Sequence, residues 1–184
     1  MAENLERSEN PPREDAFLTC ISERIGGLGK LRQRRGRHPA APPTSRNDPA
    51  MKGYLADIEH LTEENDDFRH VLYTGLHLQL VLMSLTPGQS IGTETHATHD
   101  QFFRIEQGTG DVMIDGLKRP IKAGDGIIVP AGAVHNLTNT GEEPMRLYTL
   151  YGPPNHMDAL VQATKSEAQA SHEVFHGVPT ETAP

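Results

Sequence analysis

Five side chains of this sequence combine types and spacing that could do chemistry: Glu94, His96, His99, Gln101 and His135. Glu94 and His96 are two apart, so on an extended strand they project to the same face, with Thr93 and Thr95 on the other. That puts a carboxylate oxygen beside an imidazole nitrogen, two donors that bind divalent ions. After the turn Ala97-Thr98-His99-Asp100, Gln101 opens a stretch in which it shares one face with Phe103 and Ile105. His135 follows Pro130-Ala131-Gly132, a turn that ends one strand and aims the next. Two readings of these residues stay open. They hold a metal, or they satisfy one another by hydrogen bonds without one. An inward carboxylate beside two imidazoles is costly to bury unpaired, which favours the metal. His99 also has several readings: a ligand in place of Gln101, a proton carrier at the mouth of the site, or an exposed turn residue. It is the sequence's best general acid or base. His60, His70 and His77 fall outside this pattern and read as surface or strand residues.

Two stretches carry the pattern further. Residues 88–108 read G-QSIGT-E-T-H-ATHD-Q-FFRIEQ-G, and residues 124–139 read G-DGIIV-P-A-G-AV-H-NLT-N. They resemble the two motifs of the cupin superfamily, small β-barrels that hold a metal ion inside. The second stretch matches at every defined position. The first keeps the spacing but changes the chemistry: Glu94 stands where the family has its first His, and Gln101 where it has its Glu. The resemblance implies that the strands adjoin, so that Glu94, His96, Gln101 and His135 converge as metal ligands. The family's usual three His and one Glu become two imidazoles, one carboxylate and one amide oxygen. The negative charge is kept and the donors are harder. Harder donors suit Mn(II) or Fe(II), while affinity order favours Zn and Ni, so the cofactor expected is a divalent ion among Mn, Fe, Zn and Ni. A wider resemblance, from about Lys52 to Ala168, is to small bacterial single-domain cupins, some described as similar to sugar-phosphate isomerases.

The elements that must position these residues read as many short strands. Phe68–Thr74 and Leu76–Leu85 flank Gly75; in the second, Leu76, Leu78, Leu80 and Leu82 alternate with His77, Gln79, Val81 and Met83, the period of a half-buried strand. Ser90–His96 and Gln101–Gln107 read as the next pair. Asp115-Gly116 is a hairpin signal between residues 111–115 and 117–122. Residues 126–130, 136–139 and 145–151 complete the set, and Pro153-Pro154 stops the last. Short strands with regular turns indicate an all-β barrel or sandwich; with the resemblance, the expected fold is a double-stranded β-helix, the cupin or jelly-roll barrel. A short turn of helix or a loop is expected over residues 59–67, and a short C-terminal helix within residues 157–170. Phe103, Leu82, Ile128 and Met113 are expected to fill the core and wall the site.

Composition bounds the rest. Residues 1–50 hold 9 Lys and Arg against 7 Asp and Glu, with Pro11, Pro12, Pro39, Pro42, Pro43 and Pro49 among them and no useful apolar period. They read as a disordered basic, Pro-rich tail; residues 51–170 as the barrel; residues 171–184 as a flexible C-terminus. Met51 opens MKGYLADIEHLTEEN, which resembles the start of short cupins. The remainder of the chain holds 8 basic against 18 acidic residues, which argues against nucleic acid as a partner, and the tail has no interleaved aromatics for base stacking. A lone Cys20 excludes a disulfide framework. The first residues lack an apolar signal region, and no stretch approaches a membrane span. A cytoplasmic protein without membrane contact, paired as a homodimer by barrel edges, is expected. The function expected is a metal-dependent enzyme on a small polar metabolite, isomerase- or dioxygenase-like. The alternatives are a non-catalytic metabolite-binding or sensor cupin and, through the tail, a nucleic-acid-tethered regulator.

Overall fold

The computed structural model describes residues 52–171 and 173–181; the tail expected over residues 1–50 lies outside them. A helix, α1 (Ile58–Glu64), opens the described chain, capped by the Asp57 carboxylate accepting from the His60 N–H at 3.1 Å. Ten strands follow: β1 (Arg69–Thr74), β2 (Gln79–Leu85), β3 (Glu94–Thr95), β4 (Asp100–Gln107), β5 (Thr109–Ile114), β6 (Leu117–Lys122), β7 (Gly126–Val129), β8 (Val134–Asn139), β9 (Met145–Gly152) and β10 (Val161–Gln162). A second helix, α2 (Lys165–Ala170), comes after them, with a capping box between Thr164 and Glu167.

The strands form two antiparallel sheets, one in the order β10-β1-β2-β9-β4-β7 and one in the order β3-β8-β5-β6. They face each other across one core, which takes Val81, Met83 and Leu85 from β2, Phe103 and Ile105 from β4, Ile127 and Val129 from β7, Leu137 from β8, and Met145, Leu147 and Tyr151 from β9. This is the double-stranded β-helix expected from the motifs. The hairpin signal is realised in full: Asp115 and Gly116 both have positive φ, 47° and 80°, between β5 and β6, the two-residue turn whose twist matches its strands.

Several local expectations change. β2 is buried on both faces along its whole length, and its core-facing set is Val81, Met83 and Leu85 rather than Leu80 and Leu82. Leu82 packs on the other side with Leu61 of α1 and Leu72, while Leu76 and Leu78 lie before the strand and are exposed. Ile128 points outward, 73% exposed, since Ile127 and Val129 take the inward positions of β7. Met113 is only half-buried. The stretches 90–96 and 101–107 do not pair with each other; β3 pairs with β8, and β4 with β9 and β7. The C-terminal helix is confined to Lys165–Ala170, and Val161–Gln162 instead extends the large sheet beside β1. Past α2, in the segment read as a flexible C-terminus, the Phe175 N–H donates to the Asn155 carbonyl at 3.1 Å and the Thr180 N–H to the Thr74 carbonyl at 2.8 Å.

Candidate metal centre

The register of β3 against β8 builds the site. Glu94 lies directly opposite His135, both facing the interior, and His96 follows on the same face of the chain. The Pro130-Ala131-Gly132 turn fixes the second contact: Gly132, at φ 85°, donates its N–H to the His96 carbonyl at 2.8 Å. A side chain with a Cβ resists that backbone angle, which gives the glycine of the motif its physical reason. The Asp100 carboxylate accepts from the Ala131 N–H at 2.9 Å and ties the turn to the start of β4. Asn139 closes the far end of β8, donating to the carbonyls of Leu85 and Glu143 at 2.8 and 2.9 Å.

One ligand atom each from Glu94, His96 and His135 lie within 4.8 Å of one another. Opposite donors on an ion held at about 2.1 Å are about 4.2 Å apart, so small side-chain shifts would close the group on a divalent ion. Gln101 joins it from β4, with its Oε1 3.0 Å from His135 Nε2. That equals the separation of adjacent donors at right angles around the same ion, about 3.0 Å. His135 and Gln101 form the floor, 1% and 2% exposed, while the side chains of His96 and Glu94 keep 15% and 25% exposure toward the mouth.

The hydrogen bonding of the group fits a cation. His135 Nδ1 lies 3.1 Å from the Ala133 carbonyl, which can only accept, so this nitrogen carries a proton. His135 Nε2 faces the amide oxygen of Gln101, while Gln101 Nε2 donates to Thr149 Oγ1 at 3.1 Å. An ion shared by Nε2 and the amide oxygen fits this approach, as does a proton on Nε2 or an amide turned over. His96 Nε2 is buried and lies 3.4 Å from a Glu94 oxygen, a contact between charge-bearing groups without hydrogen-bond geometry. Burial raises the Glu94 pKa, but the adjacent His96, then Arg69 and His135, outweigh it and hold the carboxyl below its ordinary value. The group therefore offers an ionised carboxylate, two imidazoles and one amide oxygen.

His99 stands at the mouth, its ring centroid 5.8 Å from that of His96. Its Nδ1 lies 3.1 Å from Thr98 Oγ1 and its Nε2 3.1 Å from the Pro154 carbonyl. Both nitrogens have a partner in this arrangement, and His99 is not one of the three converging donors. His60, His70 and His77 lie outside the group, as expected.

Around the group lies a set of residues that sequence reasoning missed. Tyr151 is buried, with its ring edge-on to His96 at 5.6 Å and to His156 at 5.1 Å. Burial, then the Glu94 charge, push its hydroxyl pKa far up, so it stays protonated. His156 Nδ1 pairs with the Glu173 carboxylate at 2.9 Å, and Glu173 lies 3.8 Å from Arg69 Nη1. Arg69 carried a readable signal, being a charged residue at the inward parity of Val71. Glu173 carried none, because nothing local relates residue 173 to residue 69.

A family description, Cupin domain, matches residues 81–151. YrkC of Bacillus subtilis is 42% identical over 132 residues, which cover 68% of this chain and 71% of that protein. A protein of Acanthamoeba polyphaga mimivirus is 33% identical over 123 residues, covering 64% of this chain and 76% of its own. The crystal structure of a Bacillus halodurans protein superposes with a TM-score of 0.65 at 38% identity, over 67% of this chain and 98% of that one. Motifs, barrel and relatives agree: the chain belongs to the cupin superfamily, as a small single-domain member.

Proposed function

We propose that this protein is a metal-dependent enzyme acting on a small polar metabolite, with Glu94, His96, Gln101 and His135 as the ligands of one divalent ion. The observation that carries the reading is the convergence of Glu94, His96 and His135, one ligand atom of each lying within 4.8 Å of the others. When bound, such an ion supplies Lewis-acid polarisation of a substrate oxygen, the chemistry shared by isomerase-like and dioxygenase-like cupins. The chain's own residues set the rest. His135 and Gln101 are held rigidly at the floor by Ala133 and Thr149. The partly exposed edge at Glu94 and His96 leaves the mouth side open for a substrate. The buried Tyr151 hydroxyl, kept neutral, is a hydrogen-bond donor beside Gln101 and not a base.

Protein purified without added metal is expected to contain one of Mn, Fe, Zn or Ni at one ion per barrel, and then to turn over a member of a screen of sugar phosphates and aromatic diols. An empty, metal-refractory protein would remove the reading. Ligand-linked stabilisation without turnover would assign the same cavity to a sensor. Among the described residues no helix is long and apolar enough to cross a membrane.

The proposal includes a homodimer. Leu78 and Ile128, 50% and 73% exposed, flank Phe102 and Leu150 on the outer face of the large sheet, an apolar surface that a second copy would cover. Sedimentation velocity at tens of micromolar, roughly the range in which ordinary interfaces assemble, is expected to give a dimer. A monomer there counts against pairing.

A further inference from the structure

A residue that contributes no ligand lies one ring beyond the metal group's own neighbours. Glu173, in the segment after α2, carries a side chain that is 9% exposed. Its carboxylate accepts from the Met157 N–H at 3.1 Å and from His156 Nδ1 at 2.9 Å, and it lies 3.8 Å from Arg69 Nη1. A carboxylate is costly to bury, and these partners offset the cost. They also fix a ring. The backbone of His156 is held without Glu173: the buried Gln79 side chain accepts from its N–H at 2.9 Å and donates to its carbonyl at 2.7 Å. The imidazole is held at Nδ1 by Glu173, with Asn155 Nδ2 3.3 Å from Nε2. Glu173 therefore sets the angle of a ring whose backbone is already placed.

That ring bears on the metal group. His156 meets Tyr151 edge-on, with centroids 5.1 Å apart and planes at 87°, and Tyr151 meets His96 edge-on at 5.6 Å and 86°. Edge-to-face contacts are directional, so each ring constrains the next. Tyr151 is 1% exposed and stands directly opposite Gln101 across β9 and β4. His135 and Gln101 are oriented by hydrogen bonds to Ala133 and Thr149. His96 has no hydrogen-bond partner at Nε2, and the rings of His99, His135 and Tyr151 surround it. Its orientation rests on packing, and Tyr151 links that packing to His156. We propose that Glu173 is a positioning residue of the metal centre: by fixing the His156 ring it holds Tyr151 against His96, so that the segment after α2 completes a site built on the barrel. This rests on the reading of Glu94, His96 and His135 as ligands of one ion.

The test uses the full chain loaded with Co(II), which lies between Fe and Ni in affinity order and whose ligand-field absorption reports the arrangement of its donors. Glu173→Ala is expected to shift that absorption and to lower Co(II) affinity, read by chelator competition, about tenfold, the lower end of what loss of an outer partner costs. Glu173→Gln, which keeps an acceptor for His156 Nδ1, is expected to fall between Glu173→Ala and the unaltered protein. Thr180→Val is the control for a loosened C-terminal segment. It removes the hydroxyl that accepts from the Thr74 N–H at 2.8 Å and donates to Asp158 at 2.6 Å, far from the rings. Absorption and affinity are expected to stay unchanged in Thr180→Val, whatever its melting temperature. If it moves them as Glu173→Ala does, Glu173 only ties down the segment, and the proposal is overturned. Tyr151→Leu, alone and combined with Glu173→Ala, closes a cycle. Once Tyr151 is replaced, removing Glu173 is expected to cost little further affinity; additive losses overturn the relay. Should the Tyr151→Leu variants not fold, unchanged absorption in Glu173→Ala is enough to overturn it. A chain that takes up no Co(II) overturns the metal reading and this proposal together, whereas a loaded chain indifferent to Glu173→Ala overturns this proposal alone.

Discussion

His135→Ala is expected to strip the protein of its divalent ion while leaving the barrel folded. His135 is the most buried of the donors, its ring held between the Ala133 carbonyl and the Gln101 amide and packed 5.4 Å from the His96 ring and 6.1 Å from Phe103. Removing it deletes a ligand and frees the Gln101 amide to turn. The loss of metal affinity should exceed the roughly 10- to 100-fold that loss of an outer partner costs. The fold should survive, because the core is an apolar cluster from both sheets; the small cavity left by the ring costs about 1–3 kcal/mol. Two measurements check this. Metal analysis should find the variant empty. Thermal unfolding should show that added Mn(II) or Zn(II) raises the melting temperature of the unaltered protein, as any native-state ligand must, but not that of the variant. A variant that keeps its ion would remove His135 from the site.

Gln101→Glu is expected to act in the opposite direction. It restores the residue the family motif carries and places a second anionic donor beside the ion, so affinity measured by chelator competition should rise about tenfold, the effect of one added charge-assisted contact. The pocket can accept it: Thr149 Oγ1, which now accepts from Gln101 Nε2, can turn to donate to a carboxylate. The same change should weaken the ion-free protein at neutral pH. Gln101 is 2% exposed, so burial and the nearby Glu94 carboxylate would raise the introduced carboxyl's folded pKa above its unfolded value. Stability contributed by such a group is present below the unfolded pKa and lost as pH rises through the folded one. The ion-free variant should therefore lose stability relative to the unaltered protein between about pH 5 and about pH 8, and the loaded variant should not. If Gln101→Glu instead lowers metal occupancy while His99→Ala abolishes it, His99 is the ligand and Gln101 is not.

The sequence alone determined the barrel and three of its converging side chains. Backbone devices with local causes make this possible. Pro130-x-Gly132 and Asp115-Gly116 demand their turns whatever surrounds them, and the two-residue spacing of Glu94 and His96 puts both on one face of any extended strand. Which face of a strand is inward was less legible. Both faces of β2 are apolar, so only the packing of the second sheet against one face decided that Val81 and Met83 face the core. Nor could local pattern say that β3 pairs with β8, because that register joins residues some forty positions apart. The tertiary structure alone decided the ring of charge around the site. Arg69, His156 and Glu173 come from a strand, a loop and the segment after α2, and they meet because the buried Arg69 and Glu173 need opposite or polar partners that their own elements do not supply. It also decided where His99 stands, with its two nitrogens 3.1 Å from Thr98 Oγ1 and from the Pro154 carbonyl.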